Sequence, residues 1–354
     1  MNGALETLAL PPRANPDFVG HPTAEQTLLR AWQSNRLHHA WLISGPRGVG
    51  KATLAFRFAR HVLAGAERDL FAEAAPTLAM APESPIFRQV AQGSHPDLLT
   101  IERAYDEKRD RVRTAILVDD VRELGTFLHL KAAAGGWRVV VVDCADDLNL
   151  SAANALLKLL EEPPEKALLL LVSHAPGRLL PTIRSRCRRL SLGPLEPDAM
   201  EALLRTSCPQ LADVDRRLLI RLSEGSVGRA TEIVAAGGLD LYRDIAGQLR
   251  QLPAVDAVAL HALGDRLGHR DASDLFRLAT EILLGWLGGT VRSVATGQGE
   301  AALSGLPSGR HSLEQWLELW EKISRLFARV ESANLDRKQV WVDAMLDIAG
   351  LASR

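Results

Sequence analysis

Sulfur is scarce in this chain. Its three cysteines, Cys144, Cys187 and Cys208, are an odd number and form no Cys-x-x-Cys unit. That speaks against a disulfide framework and against a four-thiolate zinc site. An excess of one charge is missing too: 42 Lys and Arg stand against 43 Asp and Glu, a formal net charge of -1. No global basic field announces a nucleic-acid binder, so any such contact rests on a local patch. No apolar run reaches the roughly 18 residues of a membrane helix. The opening MNGALETLALPPRANPDFVGH lacks the basic-then-apolar order of a secretory leader. A cytoplasmic chain with no membrane partner is the expectation. What is present is a hydrophobic content of 47% with 24% charged residues, which reads as folded and globular. Its 354 residues exceed one ordinary core and suggest two or three domains.

Residues 1–20 are Pro-rich and read as a surface wrap. TAEQTLLRAWQSNRL (23–37) predicts a helix capped by Thr23, with Leu28, Leu29 and Trp32 as its buried stripe. HHAWLISG reads as a short buried strand delivering Gly45. KATLAFRFARHVLAG, from Lys51, predicts a helix with Leu54, Phe58 and Val62 at i, i+4 spacing and Gly65 as its stop. Residues 66–94 are Ala- and Pro-rich, a variable excursion with one short helix. HPDLLTIER is a strand, DEKRDRVRT an exposed charged connection, and LVDDVRELGTFLHLKAAAGG a helix opening at Asp119 or Asp120. The valine run 139–142 in WRVVVVDCAD suits a central parallel strand. SAANALLKLLEEPP predicts a helix capped by Ser151 and closed by Pro163 and Pro164, and KALLLLVSHAP another buried strand.

This strand–helix alternation implies an open α/β sheet with helices on both faces, spanning 1–195. From LGPLEPDAMEALLR the pattern becomes purely helical: a small unit over 196–245, then a second over 246–354. Gly288, Gly289, Gly297, Gly299 and Gly305 read as loops in the last unit, with ALSGLPSGRHS as its clearest turn cluster.

GPRGVGKATL (45–54) carries the chemistry. Gly45, Gly50 and Lys51 fit G-x-x-x-x-G-K-[ST], and Gly48 adds a third glycine. Glycines serve here because backbone N–H groups must converge on phosphate oxygens without side chains in the way. The loop opens a helix whose dipole favours the anion, and Lys51 reaches the outer phosphates. The hydroxyl that should hold Mg²⁺ is replaced by Ala52. Thr53 follows one residue, about 100°, around the helix. It substitutes only if the loop is re-registered, and is otherwise an ordinary early-helix threonine. VVVVDCAD sits where a phosphate-loop ATPase carries its second strand motif. Asp143 can help hold Mg²⁺, but the next carboxylate, which polarises the attacking water, is Cys144. A thiol with pKa about 8.5 is a poor stand-in. Hydrolysis within this chain is therefore not expected.

SAANALLKLLEEPP followed by LPTIRSRCRRL, with SHPDLL and GGWRVVVVD before them, resembles the AAA+ clamp-loader family, most closely the delta-prime subunits of bacterial DNA polymerase III clamp loaders. The resemblance runs from about residue 37 to 236, and NLDRKQVWVDAML near the end agrees with it. It implies an AAA+ phosphate-loop domain, a helical lid and a helical collar that joins five subunits in a ring. Motor subunits and a delta-type subunit are the implied partners, with the sliding clamp and primed DNA reached through the complex. It also implies a degraded nucleotide site, with ATP or ADP binding left open and no cofactor required. Many relatives carry a four-cysteine zinc module after the phosphate-loop helix; 66–94 has no cysteine, so no zinc is expected.

By the same resemblance the Arg of Ser-Arg-Cys, here Arg186 between Ser185 and Cys187, enters the ATP site of a neighbouring subunit as a catalytic group in trans. Arginine suits that place because its planar fork grips phosphate oxygens and never loses its proton. Without the resemblance, Arg184, Arg186, Arg188 and Arg189 would read as a solvated basic turn. Ser173 falls at the first-sensor position, or is simply a serine ending a strand. Arg229 in GSVGRA falls at the second-sensor position, or is a charged residue at a helix start. Trp316, Leu317, Trp320, Ile323 and Phe327 read as bundle core, or as a subunit interface on the Trp316 and Trp320 face. Two other functions stay open: an ATPase motor with Thr53 and an Asp near 146 in the site, and a phosphate-loop module of a DNA repair complex.

Overall fold

The computed structural model describes residues 10–34, 36–65, 77–106, 111–133, 136–296 and 312–353. The chain packs into two compact units, Met1–Thr231 and Glu232–Arg354. The expected glycine loops at 297, 299 and 305, most of the ALSGLPSGRHS cluster and residues 66–76 of the excursion lie outside the described residues.

The first unit is built on five parallel strands: β1 Ala40–Ser44, β2 Leu98–Ile101, β3 Arg138–Val142, β4 Ala167–Ser173 and β5 Arg188–Ser191. Their order across the sheet is β2-β3-β4-β1-β5. Every residue of β1, β3 and β4 is buried, as near-continuous apolar strands covered on both faces must be. β2 and β5 form the edges, and β5 leaves Arg188 and Arg189 exposed.

Helices cover both faces. They are α1 Pro22–Gln33, α2 Lys51–Gly65, α3 Pro85–Gln92, α4 Val118–His129, α5 Leu150–Glu161 and the short α6 Pro181–Arg186. On one face Val121, Leu124, Ala152, Leu156 and Ile183 pack with Leu42, Val140, Val142, Leu169 and Leu171. The alternate residues of the strands turn to the other face, where α2 lies across β3 and β4. Two buried arginines of α2 hold the Pro-rich segment before α1. Arg57 donates to the Pro16 carbonyl at 2.6 Å and pairs with Glu25 at 3.0 Å. Arg60 donates to the carbonyls of Arg13 and Asn15 and lies over the Phe87 ring, 4.4 Å from its centroid.

Helix starts differ from the sequence expectation. α1 begins at Pro22, whose fixed φ suits a first helical position, so Thr23 lies inside the helix. Asn149, not Ser151, caps α5: its side chain accepts from the Ala152 N–H at 2.8 Å. α4 opens at Val118, with Asp120 accepting from the Leu117 N–H, and ends at His129, before the alanine run.

Four more helices follow the sheet: α7 Pro197–Ser207, α8 Asp213–Ser223, α9 Val227–Ala235, on which the two units meet in sequence, and α10 Gly238–Gln251, which opens the second unit. The second unit continues with α11 Ala257–Gly268, α12 Ser273–Thr296, α13 Leu313–Ser332 and α14 Arg337–Ala352. Asp256, Ser312 and Asp336 cap α11, α13 and α14 by accepting backbone N–H groups. α12 runs unbroken through Gly288 and Gly289, which are therefore helical and not the expected loop. A side chain at Gly288 would sit 3.8 Å from the Trp320 ring nitrogen. Trp316, Ile323 and Phe327 are buried, whereas Leu317 and Trp320 stay more than a third exposed.

Candidate functional site

β1 ends at Ser44, and the loop to α2 turns through Gly45, Gly48 and Gly50, with φ of +148°, +77° and +95°. Those angles belong to glycine. Space is short as well. A Cβ on Gly45 would run into the Leu192 carbonyl, and one on Gly48 into the Ser226 hydroxyl. Lys51 opens α2 with only 3% of its surface exposed, donating to the Gly45 carbonyl at 2.8 Å and to the Pro46 carbonyl. Burial lowers its pKa to about 8, against the pull of Asp143 and Asp146. On its outer side the loop meets the segment before α1. The His21 ring Nε2 is 3.1 Å from the Val49 carbonyl, and the Phe18 ring lies against Gly50.

At the end of β3 the Asp143 N–H donates to the Ile101 carbonyl at 2.8 Å. Burial pushes its carboxyl pKa up, and the charge of Glu102 adds to this. Cys144 sits in the left-handed region at φ +64°, with its thiol pushed up to about 12 by burial and by Asp147 and Asp146. It stays protonated and cannot act for a carboxylate. Asp146 accepts from the Ser173 hydroxyl at 2.7 Å, from the N–H groups of His174 and Ala175, and from the Cys144 thiol. Burial opposes its charge, but these hydrogen bonds outweigh burial and hold the pKa below the ordinary value. The Ser173 hydroxyl and Asp146 therefore satisfy each other at the strand end.

Magnesium fits this donor set poorly. Ala52 offers a methyl, Thr53 is half-buried one position further round α2, Cys144 offers a thiol, and Asp146 is already bonded. Among the described residues no group of three His, Cys, Asp or Glu is arranged to hold a metal ion.

The start of α9 closes on the loop. The Ser226 hydroxyl donates to the Arg47 carbonyl at 2.9 Å and accepts from the Arg229 N–H at 3.1 Å, while the Gly228 N–H donates to the Gly48 carbonyl at 3.0 Å. Gly228 is thus the residue set against the phosphate loop. The Arg229 guanidinium lies 3.8 Å from Glu224. Local periodicity carries no signal for this contact, which joins residues 180 positions apart. The clue in the sequence is the GSVGRA segment, which points to Arg229 and not to Ser226 or Gly228.

Arg186 ends α6, which starts at Pro181 and is rooted by buried Ile183 and Cys187. Its side chain is 36% exposed, pairs with Glu161 at 2.7 Å and donates to the Thr182 carbonyl at 3.1 Å. The neighbouring Arg188 lies over the Trp41 ring, 4.9 Å from its centroid.

Comparison with known proteins bears on this geometry. A model of the family described as DNA polymerase III, delta subunit, matches residues 20–196, half of the chain. The chain belongs to this family. It is 43% identical over 149 residues to the DNA polymerase III subunit delta' of Pseudomonas aeruginosa, covering 42% of this chain and 41% of that one. It is 33% identical over 220 residues to subunit delta' of Escherichia coli, covering 62% and 59%. The chain thus spans less than two thirds of these relatives' length. A solved structure of a DNA polymerase III gamma subunit-related protein from Thermotoga maritima aligns over 93% of this chain and 99% of that one, with 20% identity and a TM-score of 0.49. The matched span, 20–196, holds the phosphate loop, Asp143, Ser173 and Arg186, and ends before Ser226.

Proposed function

We propose that this chain is a delta-prime-type subunit of a bacterial DNA polymerase III clamp loader, supporting the ATP-driven loading of the sliding clamp onto primed DNA. Its partners would be motor subunits and a delta-type subunit in a five-member ring, with 196–245 as lid and 246–354 as collar. The DNA polymerase III subunit gamma/tau of Mycobacterium tuberculosis, 29% identical over 283 residues, supports a place among such subunits. In this reading the chain does not hydrolyse ATP itself. Its water-polarising carboxylate is a protonated thiol, and its magnesium hydroxyl is a methyl.

The observation that carries the reading is Arg186. Its guanidinium is partly exposed and tethered by a half-exposed glutamate, so it can leave Glu161 for a phosphate at small cost. A guanidinium delivered from outside stabilises the charge on a transferring phosphoryl group and contributes about 10³ to 10⁵ in rate. The test is the DNA- and clamp-stimulated ATPase of the reconstituted complex with Arg186→Ala, ring assembly being checked by size. Turnover falls by at least the share of the one site that Arg186 completes. An unchanged rate in an intact ring contradicts the trans role.

A further inference from the structure

We propose that the phosphate loop takes the diphosphate of a nucleotide as a free anion, with no divalent metal, and that Arg47, Lys51 and His174 supply the positive charge. This rests on reading residues 45–51 as a phosphate cradle, and it assigns the charge that cradle uses.

The metal side of the site lacks its hydroxyl and its second carboxylate, while the loop glycines and Lys51, bonded to the Gly45 and Pro46 carbonyls, are in place. The three glycines keep their angles, and Lys51 is buried at the mouth of α2. His174 is the addition. Parallel pairing sets Ser44 beside Ser173, so the next residues along the two strands, Gly45 and His174, leave the sheet side by side. The His174 N–H is held by Asp146, which fixes the backbone, and its ring Nδ1 is buried with no hydrogen-bond partner among the described residues. A buried, unpartnered ring nitrogen costs free energy unless something arrives to bond it. The charged groups facing that ring are Lys51 and Arg47, opposed by Asp146 and Asp147. Asp146 already accepts from Ser173, His174 and Ala175. Burial, Lys51 and Arg47 hold the ring's pKa below the ordinary value, and an anion between these groups pulls it the other way.

Calorimetric titration of the full chain with ADP tests this. Wild type binds ADP as well in EDTA as in Mg²⁺. Pyrophosphate competes and adenosine does not, because the diphosphate is what is held. His174→Gln weakens binding about tenfold at pH 6 and much less at pH 8, since the lost contact is a charged hydrogen bond only at the lower pH. Asp143→Asn binds several-fold tighter, because one negative charge leaves a site that uses no metal; in a magnesium-dependent loop it would bind more weakly. Unfolding midpoints of the variants separate lost folding from lost binding. A requirement for Mg²⁺, or His174→Gln binding like wild type at pH 6, overturns the proposal. Competition by adenosine alone also overturns it. Failure of wild type to bind ADP in either buffer removes the cradle reading as well. The Arg186 role, read through the complex, would survive that result.

Discussion

Lys51 holds its proton against burial, which lowers its pKa to about 8, whereas an unfolded chain holds it to about 10.4. Between those values the unfolded state binds more protons, so this residue's stability contribution is full above about 10.4 and is lost as pH falls through about 8. Denaturant unfolding at pH 7 and pH 9.5 should show wild type gaining about 1–2 kcal/mol more than Lys51→Met over that interval. Equal gains would mean that the ammonium is not desolvated. Ser226 gives a second test at this scale. Its hydroxyl serves both the Arg47 carbonyl and the Arg229 N–H, so Ser226→Ala should lower stability by about 1–2 kcal/mol. A neutral Ser226→Ala in the same unfolding measurement would mean that the contact between α9 and the loop is idle.

Helix starts separate what was legible in the sequence from what was not. β1, β3 and β4 were legible because an apolar run long enough for one strand has to be buried on both faces, and these are. The start of α5 was not. Asn149 and Ser151 are both good capping residues, and only the backbone turn at Leu148 and Asn149 decides between them. Asn149→Ala should therefore cost about 1 kcal/mol, and Ser151→Ala, which is exposed inside the first turn, only a few tenths. Thermal unfolding of both variants checks the assignment, and the reverse order would restore the cap to Ser151. On composition Gly288 and Gly289 read as loops, yet the flanking apolar pattern keeps α12 helical through them, since each helical glycine costs only about 1 kcal/mol. The loop glycines and Lys51 were legible from spacing. The role of Gly228 was not, because its partner Gly48 is 180 residues away.

At the scale of the whole molecule, the function we propose has the chain keep a phosphate-loop fold in its first unit without cutting phosphate itself. Ser173 and Asp146 bond each other, Cys144 stays protonated, and Ala52 carries no hydroxyl. Arg186, partly exposed at the end of α6, keeps a charge that, in the function we propose, serves another subunit. In the function we propose, this chain acts on its neighbour's nucleotide and not on its own. The most direct measurement compares two variants of this subunit, Lys51→Ala and Arg186→Ala, in otherwise wild-type reconstituted complexes, reading the DNA- and clamp-stimulated ATPase rate of intact rings. Lys51→Ala should leave the rate close to wild type, and Arg186→Ala should lower it clearly. A fall with Lys51→Ala and none with Arg186→Ala would contradict it and make the chain a motor in its own right.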